Sequence, residues 1–207
     1  MVLVYNFKYP VITVFILTIM LIGCIGQSPP ATHYLLTSIE KPSDSKQESA
    51  GESKPLRIQV GPVLFPKYLD RPQMVFLNDD HHVTIDSFNR WAEPLSDNFT
   101  RVVVENLSVL LNSDFVDSYT FKKKTRIDYR ISIDVRRFDA TPGHEVVLIA
   151  GWVIYSGEDQ SLLLEKRYDI RKPLATDSTS EMVAALNETI NDFSLEIMKT
   201  IIKQNGT

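Results

Sequence analysis

Residues 127–136 read IDYRISIDVR: Ile127, Tyr129, Ile131, Ile133 and Val135 alternate with Asp128, Arg130, Ser132, Asp134 and Arg136. Successive side chains of a strand point to opposite sides, so this segment predicts a β-strand with one apolar and one charged face. Ala140-Thr141-Pro142-Gly143 supplies turn chemistry, and Glu145 to Tyr155 returns as a strongly apolar strand. Ser156-Gly157-Glu158-Asp159 turns the chain again and Leu162 to Ile170 makes a third member. Three consecutive strands with short turns predict an antiparallel meander, and the rest of the fold has to pack on its apolar face.

The period changes on either side of the meander. Between Pro94 and Asn112, the residues Leu95, Phe99, Val102, Val103, Leu107, Leu110 and Leu111 recur at helical spacing, with Ser96 and Asp97 available to cap the start. After the meander, Met182, Val183, Leu186, Ile190, Phe193, Ile197 and Ile201 mark a second long helix, and Ser178 with Glu181 has the spacing of a capping box. Further strands are expected at His33 to Ile39, in the alternating Leu56, Ile58 and Val60, and at Asp114 to Phe121. Gly61-Pro62 ends or bends the second of these, and Gln73 to Leu77 with His82 to Ile85 reads as a hairpin around Asn78-Asp79-Asp80. The fold class that follows is α/β (α+β), a single domain with a mixed, mostly antiparallel sheet and two long flanking helices.

Composition narrows the function. The 207 residues are 43% hydrophobic and 23% charged, ordinary for a globular body. There are 22 Lys and Arg against 26 Asp and Glu, and Lys8 is the only charged side chain before residue 24. An acidic balance argues against nucleic acid, because phosphate binding needs a positive surface that releases counterions. No Gly-x-Ser-x-Gly elbow, phosphate-cradling glycine loop or His-Glu-x-x-His pattern occurs, so no catalytic residue and no metal ligand set is assigned and an enzyme is not expected. Neighbours on a strand face opposite ways, so His81-His82 reads as a surface hairpin tip rather than a chelate. The charged face at Asp128, Arg130, Asp134 and Arg136 reads first as cross-strand pairs on a solvated sheet, and Lys122-Lys123-Lys124 as a solvated loop. The sequons at Asn98, Asn106 and Asn187 are discounted, since they fall inside expected helices.

The one cysteine, Cys24, follows an apolar run from Val11 to Ile22 and stands in Leu21-Ile22-Gly23-Cys24. A run this short suits a secretory leader better than a spanning helix, which needs roughly 20 apolar residues. The order aliphatic, aliphatic, small, Cys resembles a bacterial lipobox. The domain boundaries expected are therefore a signal peptide over 1–23, a tether over 24–32, and one domain over 33–207 that includes a mobile polar loop over 41–54. No separate cofactor is expected; the resemblance implies a covalent diacylglycerol and an acyl chain such as palmitate on Cys24, anchoring the chain in membrane lipid. Three chains, at roughly 0.8 kcal/mol per buried CH2, exceed what stable attachment needs. The alternative is an uncleaved N-terminal anchor with an unmodified thiol. Ile25 follows the cysteine where lipoproteins kept at the inner membrane commonly carry Asp, so the sorting pattern implies the outer membrane, facing the periplasm.

A second resemblance lies further along. Residues 60–76 read VGPVLFPKYLDRPQMVF, and after a spacer residues 88–111 read FNRWAEPLSDNFTRVVVENLSVLL. The pattern resembles the ABC-type transport auxiliary lipoproteins, the PqiC-like intermembrane transport group. Its family positions here are Gly61-Pro62, the turn Tyr68-Leu69-Asp70-Arg71-Pro72, the helix entry Trp91, Glu93, Pro94 and Leu95, and Asn106-Leu107 within the helix. Pro72 keeps Arg71 extended, so Tyr68 to Pro72 is expected to form a rigid turn, with Asp70 and Arg71 bonding nearby backbone or each other and the tips of Tyr68 and Trp91 satisfied. Architecture and partner contact are equally open roles for this block.

The resemblance implies a membrane-anchored periplasmic accessory lipoprotein of an MCE/ABC-type intermembrane lipid transport system. It would dock an MCE-domain (PqiB-like) protein at the outer membrane, and a homo-oligomeric ring is a further implication. A lipid-binding periplasmic carrier is the alternative.

Overall fold

The computed structural model describes residues 30–40, 55–78, 81–119, 126–205; Cys24, the 1–23 leader, the 41–54 loop, Asp79-Asp80 and Lys122 to Lys124 lie outside them. In chain order the elements are β1 (Thr32–Tyr34), β2 (Ile58–Leu64), β3 (Gln73–Leu77), β4 (Val83–Trp91), α1 (Leu95–Leu110), β5 (Val116–Ser118), β6 (Tyr129–Thr141), β7 (Glu145–Ser156), β8 (Leu162–Pro173) and α2 (Thr179–Asn205). The strands form one eight-stranded mixed sheet.

The alternating segment from Ile127 to Val135 lies in the spine of that sheet. Strand β6 pairs antiparallel with β7 along its length, from Tyr129 opposite Ser156 to Thr141 opposite Glu145, and β7 pairs in the same way with β8. The other edge of β6 is shared. Its first half takes β2 in parallel, followed outward by the short β5; its last turn of pleat takes β3 at Phe76 opposite Ala140, followed by β4 and β1. The antiparallel ladders are the long ones.

Alternation carries β6 only as far as Val135. A register shift between Val135 and Arg137 inserts one residue, so that Phe138 and Ala140 rejoin the buried face on which Ile131, Ile133 and Val135 lie. Without the bulge the guanidinium of Arg137 would point into the core.

Both helices lay an apolar stripe on this face. Helix α1 buries Leu95, Phe99, Val102, Val103 and Leu107, whereas Leu110 and Leu111 at its end are only half-buried. Helix α2 buries Met182, Val183, Leu186, Ile190, Phe193, Ile197 and Ile201. Rings meet edge to face at the centre: Phe99 lies 5.4 Å from Phe138 and Trp152 lies 6.3 Å from Phe193, centroid to centroid. Each such side chain, fully buried, contributes about 1.5–3 kcal/mol over its exposed state.

Three local expectations are corrected. The first strand stops at Tyr34 instead of reaching Ile39, because the chain beyond it is claimed by side chains of the helices. The Leu36 amide donates to Asn98 Oδ1 (2.8 Å), the Thr37 amide to Asn187 Oδ1 (3.0 Å) and the Ile39 amide to Asn106 Oδ1 (2.7 Å), while Leu36 itself is buried. Neither Ser96 nor Asp97 caps α1; Pro94 occupies the N-cap, and its carbonyl accepts the amides of Asp97 and Asn98. Ser178 and Glu181 do not form a capping box: the Glu181 carboxylate accepts the amides of Ala175 (2.8 Å) and Thr176 (3.0 Å) and the Thr176 hydroxyl, tying down the loop before α2.

Candidate functional site

The family-pattern residues separate into two groups once placed in space. Leu69, Trp91 and Leu95 are buried and come together with Met182, Val183 and Leu186 of α2. Trp91 is the last residue of β4 rather than part of the helix, and its amide donates to the Pro72 carbonyl (2.7 Å), which closes the Tyr68 to Pro72 turn against the hairpin. A single 3-10 turn, Lys67–Leu69, shapes that segment. These positions are architecture.

Tyr68 reaches the opposite side of the sheet. Its hydroxyl donates to Asp139 Oδ2 (2.9 Å), and Asp139 also receives Arg137 through Nη2 (2.7 Å) and Nε (3.3 Å). Burial, reinforced by the Asp139 carboxylate, pushes the Tyr68 phenol far above its ordinary value. Asp139 is only 3% exposed, so this triad is the structure's buried ionic cluster on that face. Arg71 does not pair with Asp70: its amide donates to the Leu69 carbonyl and its buried Nε donates to no described atom.

Gly61 and Pro62 behave differently. Strand β2 bends at this cis peptide and continues to Leu64, with its register against β6 shifting between Val60 and Val63. Gly61 has φ near 121°, and a Cβ placed there would lie 2.7 Å from that of Tyr119, whose amide donates to the Val60 carbonyl (2.7 Å). Only glycine permits this approach. Among the described residues no strand lies beyond the bent part of β2, past the end of β5 at Ser118, and a groove of about 560 Å³ opens there. Its walls are Val60 to Val63, the Val116 to Tyr119 segment, and the strip Ser96, Asp97, Thr100, Arg101 and Val104 on α1. These positions recur every three to four residues beside the buried stripe, which is why one helix serves both core and groove. Pro62 is exposed on its rim.

Among the described residues the charges around the groove are mainly acidic. Arg101 is held by Glu93 (2.6 Å) and Glu105 (3.3 Å), and the Glu93 bond chiefly keeps its guanidinium protonated above the usual range. Asp97 and Asp117 line the same groove. An apolar floor with carboxylates at the rim suits an extended apolar segment carrying a basic side chain, or an acyl chain.

The charged face from Asp128 to Arg136 makes contacts both along its own strand and to neighbouring segments. Arg136 reaches Asp134 (3.4 Å), Asp128 accepts the Arg57 amide (2.8 Å), and the Arg130 guanidinium lies 4.9 Å over the Tyr155 ring. Arg136 and Asp134, two residues apart, share one face of the strand and pair there, whereas Arg130 stacks across the ladder on Tyr155, its register partner on β7. His81 and His82 sit at the hairpin tip, where the His82 carbonyl accepts the Asn78 amide. Among the described residues no group of three His, Cys, Asp or Glu is placed to hold a metal ion, and no helix is long and apolar enough to cross a membrane.

Sequence reasoning missed the groove, the Tyr68–Asp139–Arg137 cluster and the asparagines. A signal for the last was present: Asn98 and Asn106 fall on the apolar stripe of α1, where a buried amide has to find partners. Asn106 is fully buried and donates to Asn191 (3.0 Å) and Ser194 (3.2 Å).

Comparison with known proteins places this geometry. The model of a family described as the ABC-type transport auxiliary lipoprotein component matches residues 34–198. A crystal structure of an uncharacterised protein is similar with a TM-score of 0.67 at 20% identity, covering 84% of this chain and 99% of its own. A protein from Xanthomonas campestris is similar with a TM-score of 0.63 at 18% identity, covering 85% and 100%. At such identities the likeness is one of fold. No curated protein matches the chain.

Proposed function

The chain belongs to the ABC-type transport auxiliary lipoprotein family, and on that premise we propose that it is an accessory docking subunit of an MCE/ABC-type intermembrane lipid transport system. The family is one of transport auxiliaries rather than enzymes. In this reading acyl groups on Cys24 hold the body to the outer membrane on its periplasmic side. The partner is an MCE-domain protein, around which copies of the chain form a ring.

The observation that carries the docking role is the position of Gly61-Pro62. Leu69, Trp91 and Leu95 disappear into the core, and the exposed Asp70, Pro72 and Pro94 lie outside the groove lining, whereas Pro62 stands on the rim of an open groove beside whose backbone edge no further strand lies among the described residues. An extended segment of the partner would lie along that edge, with main-chain bonds giving affinity and the acidic rim meeting a basic side chain. A photo-crosslinking residue at Thr100 in the full-length lipoprotein should capture an MCE-domain protein from membranes, while one at Glu165, on the far edge strand, should not. Capture at Glu165 with none at Thr100 would remove the groove from the account.

The groove also supports a second reading, a lipid carrier, because Val60, Val63, Val104, Val116 and Tyr119 give it an apolar lining and its size falls within that of small-molecule sites. Native mass spectrometry separates the two: an added mass of a phospholipid that is lost on Val104→Asp favours carriage, and a protein with no bound lipid favours docking.

A further inference from the structure

The sheet ends on one side at β8, which among the described residues pairs only with β7. That leaves a 12-residue edge open. Natural sheets blunt such edges, and here the outer-face residues are four exposed charges in alternating sign: Glu165, Arg167, Asp169 and Arg171.

The phase of the ladder shows which backbone groups are free. The Leu174 amide donates to the His144 carbonyl (2.9 Å), and in an antiparallel ladder every second residue faces the neighbour. Following the register from that bond, Lys172, Ile170, Tyr168, Lys166 and Leu164 direct N–H and C=O toward β7. Glu165, Arg167, Asp169 and Arg171 direct theirs away from the sheet. Pro173, which has no N–H to offer, occupies the next outward position. The four residues with outward backbone are therefore the four with alternating charge.

We propose that two copies of this chain associate by antiparallel pairing of their β8 edges, in the register that sets Tyr168 opposite Tyr168 of the second copy. In that register Glu165 faces Arg171 and Arg167 faces Asp169, twice over by symmetry, and each of these is a directly hydrogen-bonded position. All four cross-strand pairs are of opposite charge, the arrangement that stabilises neighbouring strands. Other registers are penalised. Sliding by two residues one way opposes Arg167 to Arg167 and Glu165 to Asp169; sliding the other way opposes Asp169 to Asp169 and Arg167 to Arg171. A slide of one residue sets outward groups against inward ones and forms no ladder.

The inner face of β8 does not compete for the partner. Lys166 is engaged by Glu196 (2.9 Å), Lys172 by Glu188 (3.0 Å) and Asp192 (2.9 Å), and the Tyr168 ring packs 5.1 Å from Phe193 of α2. Within one copy Arg171 is held by Glu145 of β7 (2.8 Å), whereas Asp169 makes only looser contacts along the strand, lying 3.6 Å from both Arg167 and Arg171. The contact is isologous, so it closes at two copies, and it is distinct from the groove edge used for docking and from the heterologous contacts of a ring.

The test uses the full chain extracted in detergent, with copy number read by native mass spectrometry across a concentration series. Arg167→Asp alone and Asp169→Arg alone each replace opposite pairs with like ones, and each should weaken self-association on the order of tenfold or more. An equimolar mixture of the two variants restores every opposite pair, so it should form the mixed dimer at wild-type affinity. That recovery also shows both variants to be folded. Wild-type copy number persisting in either single variant, or a mixture that stays apart, would overturn the proposal; a ring whose copy number ignores both substitutions would overturn it while leaving the docking reading intact.

Discussion

Asp139 offers the sharpest quantitative test of how this fold holds a charge. Its side chain is 2% exposed and accepts two bonds from Arg137 and one from Tyr68, whereas Arg137 is 27% exposed. Removing the arginine leaves a buried carboxylate with one neutral donor, a loss of about 3–5 kcal/mol. Removing the carboxylate instead leaves a guanidinium that can turn to water, so Asp139→Ala should cost less, about 1–3 kcal/mol. Tyr68→Phe removes one bond to a charged acceptor and should cost about 1.5–3 kcal/mol. The decisive quantity is the order, Arg137→Ala worse than Asp139→Ala. In a protein of this size each kcal/mol lowers Tm by about 2–4 °C, so Arg137→Ala should lower it by about 6–20 °C. Urea unfolding followed by tryptophan fluorescence gives the free energies, and the double variant gives the coupling. If Asp139→Ala proves the more damaging substitution, the carboxylate is not the costly member, and the buried-charge account of this cluster fails.

Other outcomes follow from single sites. Leu107→Ala empties a fully buried position on α1 and should cost about 2–5 kcal/mol in the same unfolding assay. Asn106→Ala strands the Ile39 amide, and hydrogen exchange at Ile39 should accelerate well before global unfolding. Tyr168 is pushed up to about 12 by burial and by Asp192 and Glu196, so the folded state keeps a proton that the unfolded state releases from pH 10. Native binding of the extra proton makes stability fall as pH rises from 10 to about 12, and Tyr168→Phe should flatten that fall in alkaline denaturation. Mass spectrometry of the N-terminal peptide should find Cys24 acylated; residues 1–23 still attached to a free thiol would refute the anchor.

The sequence by itself determined the elements whose signal is periodic. The alternation from Ile127 to Val135, the apolar return strand and the two helical stripes each specify an apolar face, and burying four such faces together leaves few arrangements besides one sheet under two helices. The family-pattern stretch was legible as well, but only as a string of residues. Nothing in it distinguished Leu69 and Trp91, which enter the core, from Pro62, which stays on the surface.

Tertiary structure decided what depends on distant parts of the chain meeting. The bulge after Val135, the capture of residues 36–39 by asparagines from two helices, and the joining of Tyr68 to Asp139 link positions separated by tens of residues. So does the groove, whose walls come from β2, the Val116 to Tyr119 segment and α1. Periodicity reports which way a side chain points relative to its own neighbours; it carries no information about which distant segments come to lie side by side, and both the groove and the β8 edge of the described sheet depend on that.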